Sequence, residues 1–418
     1  MKILFFASYP NLAIGYSRIA NIITNYLAEK GHIVYYFGIS NFKNDNIKRF
    51  IHPNIILIDA LEEEIKLGTN ELYGVNSICD KIKEIKPDIL FLYNDLIVVS
   101  RIFNNFIEKK IEYNCKIITY LDLVYPYEKI NLIKHIDRFS DFIFVFGKYW
   151  KNNLIEMGIN SNKIEILPHG FDNKIFFQID KSDAKKYFNF KSDDFIILNS
   201  NRNNYRKCID KTIDSFVKFL TKKNLNKKIK LFLNMDINNN LNQHGYDIKN
   251  QIEIACIKNN VDYLDVINNH VFIKDTNKFS DEQLNILYNA CDVGINTCVG
   301  EGFGLCNLEH GGIGKPQIVS NVGGLTDIFK SEYSIPINPI DEIYISDNID
   351  FHGGYIKICK TDDFVDGMIK YYDNIDILIK HGEKSKETII KNFDWDNILE
   401  TMEIKIKKIY FNHKIDID

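Results

Sequence analysis

Short apolar runs alternate with longer stretches of helical periodicity along most of the chain. KILFFASY (2–9), HIVYYFGI (32–39), NIILID (54–59), DILFLYN (88–94), CKIITYLD (115–122) and DFIFVF (141–146) read as strands. Between them, helical spacing predicts helices over 17–30, 71–86, 97–110, 127–138 and 148–157, the first stopping at Gly31. Runs that are apolar on both faces, interleaved with helices, predict a parallel sheet covered on both sides by right-handed crossovers. At NKIEILPHGFDNKIFF (162–177) the pattern breaks, and Pro168 and Gly170 punctuate the break. A second alternating set follows. Strands are expected at 195–200, 228–235, 270–275, 293–298, 317–320 and 333–337. Helices are expected over 208–222, 247–259, 281–290, 304–314, 322–329, 361–373 and 376–391. A final amphipathic stretch, 394–410, carries Trp395.

The pattern therefore predicts an α/β protein of two doubly wound domains facing across a cleft. The first comprises residues 1–172, with the C-terminal helix of 394–418 packing back on it, and the second 173–393. A length of 418 residues suits two cores. The composition, 45% hydrophobic and 26% charged, is that of a globular chain, and a net charge of −4 gives no reason to expect a nucleic-acid partner. Residues 1–175 hold 21 Lys and Arg against 20 Asp and Glu. That near-neutral balance weakens docking on anionic lipid without excluding a peripheral membrane contact. No apolar run approaches the roughly 20 residues of a membrane span. The eight cysteines form no C-x-x-C pair and no N-x-[ST] sequon occurs, so a reducing, cytoplasmic setting is expected. The terminal KIDID carries a D-x-D pattern that reads as a frayed tail.

Chemistry concentrates in CDVGINTCVGEGFGLCNLEHGGIGKPQIVSNVGGLTD (291–327). VGIN ends a strand, and a glycine-rich loop leads into a helix beginning near Gly304. Ligands of open α/β sheets bind beyond the carboxyl ends of strands, and a helix N-terminus there suits phosphate. Glu301 lies on the loop, and Glu309 lies eight residues further on, where a carboxylate suits a ribose diol. Taken alone, the two acids also read as a solvated loop acid and a surface helix acid. A second segment alters the balance. FIILNS is followed by NRNNYRKCID, which places Arg202, Arg206 and Lys207 in a turn before a helix. Such cations neutralise a diphosphate. By itself this is an ordinary solvated turn; with the Glu301 loop it implies a nucleotide-diphosphate site.

With these segments in this order, the chain resembles the retaining GT-B glycosyltransferases of family four, which use nucleotide-sugar donors. KIEILPHGFDNKIF is similar to the family's interdomain segment, where Asn often stands at the place of His169. NRNNYRKCIDKTIDSF is similar to its phosphate-binding turn, residues 271–329 to its donor-site core, and FDWDNILETMEIKIKKIY to its returning C-terminal helix. The resemblance covers 160–330 and 390–410 closely and 1–150 more loosely. It implies that Arg202 and Lys207 hold the donor pyrophosphate and stabilise the leaving group. It places Glu301 near the transferred sugar and Glu309 on the ribose. Gly302, Phe303, Gly304 and Leu305 would contact sugar and phosphate, Lys274 would end the strand that reads the base, and Gly15 would face the phosphate from the first domain. The implied donor is a UDP- or GDP-sugar, transferred with retention and with no metal or other cofactor.

This chain departs from the family's pattern in two places. The family's two adjacent glycines are here AIGYS, with Gly15 alone. Its His-Asp pair after the 115–122 strand is here Thr119-Tyr120-Leu121-Asp122. Asp122 reads equally as a ligand contact and as a strand-end acid capping the next turn. No H-E-x-x-H, G-x-S-x-G or G-x-G-x-x-G after the first strand supports a metalloprotease, a serine hydrolase or a nicotinamide enzyme. A GT-B sugar-nucleotide epimerase and an inactive nucleotide-sugar-binding scaffold remain as rival readings. The acceptor (glycan, small molecule, protein or lipid), the sugar and the oligomeric state are not legible.

Overall fold

The computed structural model describes residues 1–12, 14–43, 47–235, 245–274 and 279–415. Asp275, and Asp416 and Asp418 of the terminal KIDID, lie outside the described residues. The chain divides into two compact units. One comprises Met1–Leu123, Tyr127–His169 and Trp395–Asp418, and the other Val124–Pro126 and Gly170–Asp394. The expected boundary after residue 172 thus falls between His169 and Gly170, Asp394 stays with the second unit, and three residues from within the first half also belong there.

The first unit is built on seven strands: β1 (Lys2–Ser8), β2 (Ile33–Ile39), β3 (Ile55–Asp59), β4 (Ile89–Asp95), β5 (Lys116–Asp122), β6 (Phe142–Val145) and β7 (Ile164–Ile166). They pair in the order β3-β2-β1-β4-β5-β6-β7, all parallel. Ile3 to Ala7 of β1 and Ile89 to Leu92 of β4 are wholly buried, as both-face apolar runs require. The C-terminal helix Trp395–Ile415 is part of this unit. Its Glu403 is buried, 3.1 Å from His32 Nε2, and accepts from Lys407 at 2.7 Å. Burial pushes the Glu403 carboxyl up, but hydrogen bonds from Lys407 and His32 outweigh it and hold the group below the usual range.

The second unit holds β8 (Phe195–Asn199), β9 (Ile229–Asn234), β10 (Val271–Lys274), β11 (Val293–Asn296), β12 (Gln317–Ser320) and β13 (Ile335–Ile337). Their order is β10-β9-β8-β11-β12-β13, again parallel. The helix Ile209–Lys222 shows why this sequence folds so. Ile209, Ile213, Phe216, Val217 and Leu220 make one buried stripe, while Asp210, Lys211, Asp214 and Lys218 lie off it. In both sheets the winding reverses beside the first strand, at β1/β4 and at β8/β11. There the connections leave in opposite directions and open a crevice at the carboxyl ends.

A two-stranded antiparallel hairpin, β14 (Pro339–Ile345) and β15 (Gly354–Cys359), was not expected from the pattern. Nearly all of β14 is exposed, so it shows no one-sided apolar alternation to read. The hairpin bonds to both the chain excursion and the Glu301 loop. Tyr355 N donates to Pro126 O at 3.0 Å and Lys357 N to Val299 O at 2.9 Å. Val124, Tyr125, Cys208 and Val299 form a small buried cluster here, with Ile345 and Ile356 against it. Short helices at Ala60–Lys66, Lys181–Tyr187 and Tyr263–Asn269 were also unexpected, and the helix expected over 71–86 occupies Ile78–Ile85. Buried Glu64 organises the chain before it, accepting from Asn76 N and Ser77 N at 2.8 and 2.7 Å.

Glu403→Ala removes the buried acceptor that anchors the last helix. It is expected to lower stability by about 1–3 kcal/mol and to speed limited proteolysis within Trp395–Ile415. Unchanged melting and cleavage would contradict this anchoring role.

Candidate active site

Two connections meet at the carboxyl end of the second sheet's switch point. After β8, residues 200–208 form a tight turn. Asn204 accepts from Lys207 N at 3.2 Å, and Tyr205–Lys207 make one 3-10 turn that aims the Lys207 side chain inward. After β11, residues 297–304 form the glycine-rich loop. The Thr297 hydroxyl joins the two connections, lying 2.7 Å from Thr212 Oγ1 and 2.8 Å from the Cys208 carbonyl.

Glu301 lies at the centre and is only 7% exposed. Lys207 Nζ donates to its Oε2 in a direct ion pair, and Arg206 Nη1 stands 3.8 Å from Oε1. Arg206 Nη1 also donates to the Gly300 carbonyl at 2.8 Å, so it braces the loop itself. Burial pushes the Glu301 carboxyl up. The Lys207 charge, then the Arg206 charge and hydrogen bonds from Lys207 and Asn296, prevail and hold it below the usual carboxylate range. Burial, with Glu301 behind it, pushes the neighbouring Cys298 thiol well up, and Cys306 rises to about 12 through burial. Both stay protonated and neither is a thiolate nucleophile.

The sequence-predicted residues fall as follows. Gly302, Phe303 and Gly304 are buried in the loop, and Leu305 opens the helix Leu305–Gly312. Gly304 has φ +96°, and a Cβ there would lie 2.4 Å from Leu325 Cδ2, so only glycine fits this helix start. Glu309 is buried on that helix and accepts from Tyr288 Oη at 2.9 Å. This corrects the reading of Glu309 as a surface helix acid. Arg202 is exposed in the turn after β8. Lys207 and Arg206 both come within ion-pair range of Glu301. Lys274 ends β10, exposed, with its ammonium 5.4 Å from the centre of the Phe188 ring.

A chain of buried polar groups underlies the site. Asn296 Nδ2 reaches Glu301 Oε2 at 3.4 Å and Asn307 Oδ1 at 2.8 Å. Asn307 Nδ2 donates to Gln317 Oε1 at 2.9 Å, and Gln317 Nε2 lies 3.0 Å from His310 Nδ1. His310 Nε2 meets the Tyr288 carbonyl at 3.1 Å, and Tyr288 holds Glu309. Burial drives His310 down to about 3, so it is a neutral ring within this chain. Sequence reasoning missed Asn296, Asn307, Gln317 and Tyr288. The available signal was an amide closing the otherwise apolar strand VGIN.

In the first unit, Gly15 is exposed at the start of the helix Gly15–Glu29. Its neighbour Tyr16 donates to Asp122 Oδ2 at 2.6 Å. The acid at the end of β5 therefore meets a phenol from another element instead of only closing its own turn. Burial, then Asp122, pushes the Tyr16 hydroxyl well above its ordinary value, so it stays a donor. Tyr93 stacks on Tyr120 at 4.7 Å, and Tyr93 Oη lies 3.3 Å from His169 Nε2. Among the described residues no group of three His, Cys, Asp or Glu is placed to hold a metal ion, and no helix is long and apolar enough to cross a membrane.

Residues 180–343 match the family model for glycosyl transferases group 1. The matched segment contains Arg202, Lys207, Glu301 and Glu309. The sucrose-phosphate synthase structure from Thermosynechococcus elongatus aligns with a TM-score of 0.73 at 15% identity, over 99% of this chain and 100% of that one. Anabaena HepE in complex with UDP-glucose aligns with a TM-score of 0.70 at 13% identity, over 98% and 100%. The E. coli trehalose-6-phosphate structure bound with UDP-2-fluoro glucose aligns at 0.66 and 14%, over 98% and 99%. No curated protein sequence matches significantly. The fold is thus GT-B, and the part of the chain that matches the glycosyl transferases group 1 model is the one that holds the Glu301 site.

Glu301→Gln keeps the shape but leaves Lys207 and Arg206 without a carboxylate, so it is expected to destabilise the fold by about 3–5 kcal/mol. The folded carboxyl lies below its unfolded value, so its contribution is whole above about pH 4.3 and is lost as pH falls through the folded pKa. Melting curves of both proteins should therefore converge in acid. A difference that persists there would contradict the ion-pair origin.

Proposed function

We propose that this chain is a retaining glycosyltransferase. It moves a sugar from a UDP- or GDP-sugar to an acceptor hydroxyl, with basic side chains in the role a divalent cation fills elsewhere. One observation carries the reading: the Lys207–Glu301 ion pair sits at a strand switch point beside the helix start at Leu305, with buried Glu309 on the same helix. The UDP-sugars bound in the HepE and E. coli structures support a nucleotide-sugar donor.

Departure of the nucleoside diphosphate develops negative charge on its phosphates and oxocarbenium character at the sugar carbon. Lys207 and exposed Arg202 bind that diphosphate, and the first-turn N–H groups of the helix Leu305–Gly312 add donors and a positive dipole end. On donor binding Lys207 shares its ammonium between Glu301 and phosphate, so the pair seen here holds the cation ready. Arg206 keeps Gly300, and hence Glu301, in position. Glu301 stays ionised beside the transferred sugar, Glu309 takes the ribose diol, and Lys274 ends the strand beside the base. Gly15 and Asp122, with Tyr16 behind it, belong to the acceptor side. Retention, metal independence and a cytoplasmic location complete the reading; eight free cysteines support a reducing compartment.

A thermal-shift panel of UDP, GDP, ADP and their sugars should reveal one preferred nucleotide, because a ligand of the folded state raises the melting temperature. With that donor, sugar release or transfer should persist in EDTA. Lys207→Ala should lower kcat by about 10²–10³, the usual cost of one preorganised charge-stabilising contact. Donor binding without turnover across acceptors would instead support a scaffold, and an altered sugar nucleotide with no acceptor an epimerase. Full activity of Glu301→Ala would sink the catalytic assignment.

A further inference from the structure

The second unit has a cavity of ≈ 680 Å³ at the amino ends of β11 and β12, the edge of the sheet opposite Glu301. Asp292, immediately before β11, and Lys315, just before β12, lie in its floor beside Lys181. The helix Ile375–Asn392 supplies a wall that includes Ile379, Lys386 and Ile390. β11 spans four residues, roughly 13 Å at strand rise, so this cavity is separate from the proposed donor site.

Its floor gathers two ammonium groups, Lys181 and Lys315, around one carboxylate, Asp292. Lys181 contacts Asp292 Oδ1, and buried Lys185 stands 3.4 Å from Asp292 Oδ2. Lys185 also donates to the carbonyls of Asp194 and, at 3.2 Å, Ser192, so Asp292 is shared chiefly with Lys181. Among the described residues Lys315 Nζ meets a single acceptor, the Asn289 carbonyl at 2.9 Å. An ammonium has three N–H bonds, and a partly buried one short of acceptors costs free energy. Burial is the main cause pushing Lys315 down to about 8, with the Lys181 and Lys185 charges adding to it against the pull of Asp292. At the rim, Lys386 donates to the neutral Gln178 Oε1 at 2.6 Å, while Glu387 on the same wall is paired with Lys384 at 2.8 Å. The lining thus sets Lys181, Lys315, Lys386 and Lys391 against Asp292, Glu383 and Glu387, with the two floor lysines facing one carboxylate, and is apolar along Pro316, Leu378, Ile379 and Ile390. Its volume is that of a small-molecule site.

We propose that this cavity is a second anion site, which takes a small phosphate monoester. The phosphate oxygens accept from Lys315 and Lys181, and the organic part lies on the apolar wall. The site is wired to the first one. Lys315 O accepts from Gln317 Nε2 at 2.9 Å, and Lys315 N donates to His310 O at 3.2 Å. Gln317 and His310 are the links between Glu301 and Tyr288, and Asn289, which holds Lys315, directly follows Tyr288. Occupancy here therefore bears on the groups that hold Glu309, and any change in nucleotide affinity must be reciprocal.

The test is calorimetric titration of the full chain with inorganic phosphate and with glycerol 3-phosphate, at matched chloride, with and without saturating UDP. The expected result is binding that survives UDP, tighter for the ester. It should weaken about tenfold or more in Lys315→Met and persist in Lys207→Ala. Lys386→Gln, at a half-buried side chain, and Lys181→Gln, at an exposed one, give the same reading should Lys315→Met fail to fold. Phosphate binding that disappears with UDP, is lost in Lys207→Ala, or is unchanged in the Lys315, Lys386 and Lys181 variants would overturn the proposal. Absence of phosphate binding in the wild type would also overturn it. Because Lys207→Ala tests the donor site separately, failure of one site does not count against the other.

Discussion

A carboxylate almost sealed from water survives here only because two cations reach it. Glu301 would be driven neutral by burial, and Lys207 would be a lone ammonium without it. Their pairing requires the turn after β8 and the loop after β11 to end at one place. That follows from the sheet order, in which β8 and β11 are neighbours with connections leaving in opposite directions. The ion pair is thus the point where topology becomes chemistry. It also explains the positive φ of Gly304, since the loop must turn sharply to start a helix so close to the pair.

The polar chain beneath gives this arrangement its rigidity. Asn296, Asn307, Gln317 and His310 are each buried, and each is satisfied by the next. Such a series holds one geometry because any broken member leaves a buried polar atom without a partner. Glu301 and Glu309, eight residues apart, are therefore parts of one hydrogen-bonded body and not two independent ligands on a flexible loop.

Much of the fold was legible because its strands are apolar on both faces and separated by helical spacing, a pattern no loop mimics. What escaped reading had no such pattern. β7 is three residues long, β14 is exposed along its length, and Ala60–Lys66 is an acidic run whose start depends on the Asp59 side chain accepting from Leu61 N. Glu301, Lys207 and Glu309 could be picked out because their spacing and order match a known donor site. The part of Arg206 in bracing the Gly300 carbonyl was not read, since side-chain direction in a 3-10 turn leaves no trace in spacing. The buried amides were missed because a single Asn or Gln carries no periodicity, and Tyr16 because a phenol at a helix start reads as surface.

Residues Val124–Pro126 pack with the second unit although the chain on either side of them belongs to the first. Tyr125 lies against Gly300, where a Cβ would come within 2.4 Å of its ring, and Pro126 O receives the Tyr355 amide. The second unit is therefore not a continuous stretch of polypeptide. A fragment cut at Gly170 and Asp394 would lack this tripeptide. It would uncover Cys208 and Val299 and leave the loop of Glu301 without one of its walls, so the two halves of this protein are not modules that recombination could exchange at a single junction.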